Sequence, residues 1–287
     1  MMRKVIGFVL ALMPIPAMAD TAADALRELV LAGDVAAVEA TVAAAVAEDA
    51  ASTTEPDLHR ILFTVFSETH PDIGAFTARW LRERPNSALA MTAQGWQDYA
   101  MGWAIRGESS LRETYSGATA AMIERHREAF VLMTKAVEAA PDLVAASDGI
   151  LRLTRTLDKI EVIPVELERI MARRPNRGSL TRAMEAVAPR WGGNEAQVDM
   201  LCERYAPKIV TIADYTIDVC MIDALYVAAY WDRGRREDAH KLLQFTTHPI
   251  LDYARLMDAV DGFGSPEMRV KLFEGLKAKR TLNPLEA

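Results

Sequence analysis

Apolar side chains recur at three- and four-residue steps along nearly the whole chain, and this period constrains the fold more than any other feature. Val35, Val38 and Val42, for example, follow Asp34, a residue type that suits the N-cap of a helix. No segment alternates apolar and polar residues with the two-residue period of a strand. Ala, Leu, Glu, Arg and Met, which favour helix, are abundant. The sequence therefore predicts an all-α protein.

A proline-centred turn recurs between the predicted helices. Its copies lie at Pro85, Pro141, Pro175 and Pro207. The last three are 34 and 32 residues apart, which is typical of a helical repeat. Residues 226–243 look like the turn of a tetratricopeptide repeat, with Gly234 between two helices and Ala239 where they pack closely. Because one helix pair cannot bury its apolar face alone, we expect stacked antiparallel helix hairpins, a tetratricopeptide-like solenoid.

The N-terminus has the three zones of a secretory signal peptide. Arg3 and Lys4 precede the apolar stretch 5–17, and small residues occupy positions 17 and 19. The apolar stretch is too short to span about 30 Å of hydrocarbon, and two prolines interrupt it. The sequence therefore predicts that residues 1–19 are a signal peptide cleaved after Ala19, and that the protein is periplasmic or secreted.

The remaining segment, 20–287, is predicted to be one helical-repeat domain. Cleavage removes two positive charges, so the formal charge changes from −7 to −9, which argues against binding of nucleic acid. The apolar stretch 209–231 contains three aspartates, and each would cost a few kcal/mol in lipid. We therefore expect no transmembrane segment after signal cleavage.

The chain has two cysteines, Cys202 and Cys220. In an oxidising compartment such a pair favours a disulfide, here between helices on either side of a turn near residue 211. Two buried free thiols are the alternative, because free cysteine packs as a small hydrophobe. A metal site is disfavoured, since two cysteines without a nearby histidine do not fill the four ligand positions of zinc.

Two motifs stand in a fixed order along the chain. The first is Arg84-Pro85-Asn86-Ser87-Ala88, Gly95-Trp96 and Trp103-Ala104-Ile105-Arg106-Gly107, and the second is Pro189-Arg190-Trp191-Gly192-Gly193-Asn194. Together they resemble the bacterial domain-of-unknown-function family 4034 over about residues 75–210. Ile105 and Asn194 depart from this pattern, where Ala and Ser are expected. Because the family is helical and has no established activity, the resemblance implies a fold and not a function.

Four residues of the first motif region lie at helical spacing: Trp96, Tyr99, Trp103 and Arg106. They form one stripe on a helix, because residues three and four apart share a face. The stripe is either a binding face, since aromatic residues and arginine dominate interface energetics, or a packing surface against the long helix after Ala118. In the packing alternative, Arg106 hydrogen-bonds a carboxylate or a helix end.

The second motif offers Arg190 and Trp191 beside the glycines at 192 and 193. Exposed amides at the following helix start could hold an anion with help from Arg190. The alternative is a rigid interhelical turn with Trp191 in the core. Six arginines between residues 169 and 190 also have two interpretations: a patch for an anionic partner, or a solvated helix face with local ion pairs.

No sequence motif for a nucleophile elbow, a phosphate loop, a dinucleotide site or a metalloprotease helix is present. We therefore expect no cofactor and no metal. The sequence favours a non-enzymatic interaction or scaffold module whose partner is another protein or a peptide. Two alternatives remain: a helical protein that binds a small anionic ligand, and an enzyme whose site is not recognisable from sequence.

Overall fold

The structure of the protein is a computed structural model. It describes residues 15–51, 58–107, 114–173, 175, 177–187, 193–209 and 220. These residues form ten α-helices and no strand, which confirms the predicted all-α class. The chain divides into two compact units, residues 1–145 and 146–287, and each is described by itself.

Six α-helices and one 3-10 helix make up the described part of the first unit. They are α1 (Ile15–Ala32), α2 (Val35–Ala51), α3 (Leu58–Leu62), the 3-10 helix Phe63–Ser67, α4 (Pro71–Glu83), α5 (Ala88–Arg106) and α6 (Ser116–Ala139). The predicted cleavage after Ala19 falls inside α1. The residues of α1 described as buried (Ala23, Leu26 and Val30) all follow that point, so cleavage would leave them in place.

The start of α2 and both ends of α5 lie where the sequence predicts them. The Asp34 carboxylate accepts a hydrogen bond from the backbone N–H of Ala37 (3.0 Å) and so caps α2. The Ser87 hydroxyl accepts one from the N–H of Ala90 (3.3 Å) at the start of α5. Gly107 ends α5 with a positive φ of 74°, a backbone conformation that glycine adopts without strain.

Aromatic side chains fill the core of the first unit beside α4. The ring centroid of Phe66 lies 5.5 Å from that of Phe63 and 5.8 Å from that of Trp80. The apolar pattern of residues 58–66 predicts one α-helix, but α3 ends at Leu62 and a 3-10 helix follows. Side chains three residues apart eclipse in a 3-10 helix, so Phe63 and Phe66 both face the core.

Helices α5 and α6 form an antiparallel hairpin with a close seam. Gly95 on α5 faces Met133 on α6, and Gly102, seven residues later, faces His126, which precedes Met133. A Cβ atom at Gly95 would lie 2.8 Å from Met133 Cγ, and one at Gly102 would lie 2.5 Å from the His126 ring. The two helices approach this closely because both positions lack a side chain.

The described part of the second unit has four α-helices and two 3-10 helices. They are α7 (Val144–Leu157, which begins two residues before the unit boundary), the 3-10 helix Ile160–Val162, α8 (Ile163–Arg173), α9 (Arg177–Ala186), α10 (Glu195–Tyr205) and the 3-10 helix Ala206–Lys208. Asn194 and Gln197 form a reciprocal capping box at the start of α10, with hydrogen bonds of 2.9 and 3.0 Å. The repeat turn predicted over residues 226–243 lies outside the described residues.

The predicted disulfide is present. Cys202 and Cys220 are bonded, with 5.5 Å between their Cα atoms, and both are fully buried. The turn predicted near residue 211 lies outside the described residues. Within the described ranges, no helix is long and apolar enough to cross a membrane.

Candidate functional site

The stripe on α5 runs from the buried core to the surface. Trp96 and Tyr99 are only 7% and 8% exposed, whereas Trp103 and Arg106 are partly exposed. The Trp96 indole Nε1 donates a hydrogen bond to the backbone carbonyl of Ala145 (3.1 Å). Only the outer end of the stripe, Trp103 and Arg106, is therefore available to a partner.

The stripe is held together by ring contacts and by His126 of α6. The Trp96 and Tyr99 rings and the Tyr99 and Trp103 rings meet edge to face, at centroid distances of 6.0 and 6.3 Å. His126 stacks on Tyr99 at 5.3 Å, contacts Trp103 at 5.6 Å and places Nε2 3.1 Å from the Tyr99 carbonyl oxygen. Such aromatic pairs contribute about 0.5–1.5 kcal/mol each beyond burial. Tyr99 therefore packs against α6, as the packing alternative predicts, and Trp96 is buried beside it.

Arg106 completes the stripe at the surface. Its guanidinium carbon lies 5.4 Å from the centroid of the Trp103 ring, a cation–π contact. Its Nη1 donates to the carbonyl of Gly107 (3.3 Å), so it bonds a helix end, one of the two partners expected of it. The Trp103 ring thus contacts the guanidinium of Arg106 and the rings of Tyr99 and His126.

Two further apolar side chains are exposed at the same end of the hairpin. Ile105 lies in the last turn of α5, and Tyr115 directly precedes α6 and is 78% exposed. The Tyr115 ring lies over Gly117, where a Cβ atom would come within 2.4 Å of the ring. We call Trp103, Ile105, Arg106 and Tyr115 the hairpin-end surface. Sequence reasoning missed Ile105 and Tyr115, because only the antiparallel pairing of α5 with α6 brings them to one end.

A buried Asp–His pair joins α2 to α3. Asp49 Oδ2 lies 2.6 Å from His59 Nδ1, and the same carboxylate accepts the backbone N–H groups of His59 (2.7 Å) and Leu58 (2.9 Å). Burial raises the pKa of the Asp49 carboxyl, but these hydrogen bonds outweigh burial and the net pKa is lowered. A catalytic dyad needs a nucleophile at the second nitrogen, and no described residue contacts His59 Nε2 by a hydrogen bond. Through its hydrogen bonds to Leu58 and His59, the Asp49 carboxylate on α2 holds the start of α3.

A second buried carboxylate lies on the α5–α6 hairpin. Asp98 is paired with Arg125 at 3.2 Å, and Arg125 also pairs with Glu128 at 3.2 Å. Burial is the main reason that the pKa of Asp98 is raised. A raised pKa in a cleft can mark a catalytic acid, but ion-pair networks produce the same shift. Here Asp98 on α5 is paired with Arg125 on α6, so burial within an ion pair between the two helices accounts for the raised pKa.

Two of the six arginines between residues 169 and 190 have ion-pair partners nearby. Arg169 lies 3.6 Å from Glu166, and Arg182 lies 3.6 Å from Asp148. The same two carboxylates accept hydrogen bonds from buried hydroxyls: Ser147 Oγ donates to Glu166 and Ser179 Oγ donates to Asp148, both at 2.8 Å. These contacts link α7, α8 and α9, and they fit the interpretation of the arginines as a face with local ion pairs.

The second motif is described only at its end. Arg190 and Trp191 lie outside the described residues, so both interpretations of them stay predictions. A Cβ atom at Gly193 would fall 1.9 Å from the carbonyl oxygen of Val187, so this position admits only glycine. That close approach fits a tight turn between α9 and α10.

Among the described residues, no group of three or more His, Cys, Asp or Glu side chains could hold a metal ion. Comparison of the chain with family models, curated proteins and solved structures yields no match in any of the three. The resemblance to family 4034 stays a prediction from the two motifs.

Proposed function

We propose that this chain is a non-enzymatic, periplasmic or secreted interaction module that binds another protein or a peptide through the hairpin-end surface. In this proposal the helices stack as antiparallel hairpins of the tetratricopeptide-like kind. The observation that supports it is the partly exposed Trp103, covered by Arg106, at the same hairpin end as the 78% exposed Tyr115. Trp, Tyr and Arg are the residue types that most often supply binding energy at interfaces.

The surface is also pre-ordered for binding. The rings of Tyr99 and His126 both contact the Trp103 ring, and Arg106 lies over it. A side chain that is already fixed loses little conformational entropy when a partner binds, and each immobilised side chain otherwise costs about 0.5–1.5 kcal/mol. The same contacts that bury Trp96 and Tyr99 therefore favour binding at the outer end of the stripe.

The alternative of a small anionic ligand has less support. Of the arginines that would bind it, Arg169 and Arg182 already face the carboxylates of Glu166 and Asp148. An anion would have to displace these internal partners, which would leave buried carboxylates without their counter-charges.

Site-specific crosslinking in the native compartment tests the proposal. A photoreactive amino acid replaces Tyr115 in the full chain, and a second protein carries it at Val165, an exposed position of the second unit. We expect a discrete crosslinked partner from position 115 and not from position 165. Adding Trp103→Ala and Arg106→Ala should remove the crosslink.

The matched control is Val131→Ala, which truncates a 51% exposed apolar side chain of the same hairpin, on α6, and should leave the crosslink intact. Circular dichroism of each variant establishes that the helices are retained. The proposal is wrong if position 115 gives no partner, or if the folded double variant crosslinks as well as the wild type.

A further inference from the structure

Three sulfur atoms meet in the core of the second unit. The Met184 thioether Sδ on α9 lies 3.4 Å from Cys202 Sγ and 3.5 Å from Cys220 Sγ. Disulfide sulfurs carry no hydrogen, so these are van der Waals contacts and not hydrogen bonds. Both cysteines and Met184 are buried. One thioether thus touches both members of the cysteine pair.

We propose that the reduced form of the protein binds one Cu(I) ion through the Cys202 and Cys220 thiolates and the Met184 thioether. Thiolate and thioether are soft ligands, the kind that select Cu(I), zinc and iron–sulfur clusters over hard cations. This site is independent of the hairpin-end surface, which lies in the other unit.

The geometry suits a three-coordinate ion. With metal–sulfur bonds of about 2.3 Å, three sulfurs around a trigonal ion stand about 4 Å apart. Met184 Sδ is already within about half an ångström of that separation from each cysteine sulfur. Only the two thiolates must separate once reduced, and a Cα–Cα distance of 5.5 Å lets rotation about the Cα–Cβ bonds do this.

The same three sulfur ligands do not suit a structural zinc ion. A structural zinc site needs four ligands, and the sequence supplies only two cysteines. Within the described residues, no histidine or carboxylate joins them in a metal-binding group. A soft monovalent ion with three sulfur ligands has no such deficit.

The two forms interconvert by a balanced exchange. A dithiol reductant transfers two electrons and two protons to the Cys202–Cys220 disulfide and becomes a disulfide itself. Cu(I) then forms two thiolate bonds and one thioether bond, and the two thiol protons pass to solvent. Metal affinity should therefore rise with pH, because two protons are released for each ion bound.

The test is a competition titration of the whole reduced protein. The disulfide is reduced with a phosphine, the phosphine is removed without oxygen, and Cu(I) is titrated against the colorimetric chelator bicinchoninate. We expect one equivalent to bind to the reduced wild type and none to the oxidised form. Met184→Leu should weaken binding about tenfold or more, since losing even an outer-shell partner costs 10–100-fold in affinity.

The matched control is Met200→Leu, which removes an exposed methionine from α10, the helix that carries Cys202, and should bind as the wild type does. X-ray absorption of the loaded wild type counts the sulfurs around copper and needs no variant. A shell of three sulfurs is expected. A shell of two, the absence of one-to-one binding, or equal affinity of folded Met184→Leu and wild type would overturn the proposal and leave a purely structural disulfide.

Discussion

Replacing Gly102 by alanine tests the seam between α5 and α6. A Cβ atom there would lie 2.5 Å from both Cδ2 and Nε2 of His126, where non-bonded carbon contacts are normally about 3.5–4.0 Å. The ring cannot give way easily, because it is fully buried, stacked on Tyr99 and bonded to the Tyr99 carbonyl. The two helices or the ring must therefore move by about an ångström.

Two opposing effects set the change in the free energy of unfolding caused by Gly102→Ala. Alanine is favoured over glycine inside a helix by about 1 kcal/mol, which stabilises the variant. Overpacking a close seam typically costs about 1–3 kcal/mol, and here the obstacle is a rigid ring. We expect overpacking to win, so that Gly102→Ala lowers the free energy of unfolding by about 1–2 kcal/mol.

Gly74 provides the matched control. It lies in α4, and the nearest atom to a Cβ there is Gln97 Nε2 at 3.7 Å, an ordinary contact. Gly74→Ala should therefore raise the free energy of unfolding by about 0.5–1 kcal/mol. Urea denaturation of the three proteins, followed by circular dichroism, measures both changes, and the two variants should differ by about 1.5–3 kcal/mol.

Adding His126→Ala identifies the cause of the loss. If the imidazole is the obstacle, Gly102→Ala should lower the free energy of unfolding less in the His126→Ala background than in the wild type. The double variant should then be more stable than the sum of the two single changes predicts. The reasoning fails if Gly102→Ala is as stable as Gly74→Ala, or if removal of the ring does not reduce its cost.

Two further predictions concern stability. Replacing Cys202 and Cys220 by serine opens a loop of 18-residue separation, which should lower the free energy of unfolding by about 3 kcal/mol, measured by non-reducing denaturation; an unchanged midpoint would contradict a stabilising disulfide. Asp49→Asn should be less stable than the wild type at pH 7. The pKa of Asp49 is lower in the folded state than its unfolded value of about 3.9, so the ionised carboxylate stabilises the fold at any pH above that value. That advantage is lost as pH falls through the folded pKa, so denaturation at pH 3 should show a smaller difference between the two proteins than at pH 7.

Helix ends could be predicted because their signals are local. Asp34, Ser87, Asn194 and Gly107 act within one turn of their own positions, through caps or a positive φ, and the structure has them where the pattern indicates. The segment 58–67 departs from its pattern because an apolar run of this length fits an α-helix or a 3-10 helix, and packing of Phe63 and Phe66 decided between them.

The candidate site could be predicted only in part. The spacing of Trp96, Tyr99, Trp103 and Arg106 places them on one face of α5, but spacing cannot say how deep each lies. Tyr99 is buried against His126 of α6, which lies 23 residues beyond Trp103, and Trp96 is bonded to the carbonyl of Ala145. The Met184 contact with both cysteines is of the same kind, because no local pattern connects α9 with Cys220.

The sequence by itself determined the all-α class, the helix ends at Asp34, Ser87 and Gly107, and the cysteine pair, since periodicity, capping and residue type act over a few neighbouring residues. Only the tertiary structure decided which end of the aromatic stripe reaches solvent, why Gly95 and Gly102 are needed, and that one methionine touches both disulfide sulfurs. These features depend on which helices approach each other and how closely. That approach is set by packing between residues distant in the chain, which the local pattern does not encode.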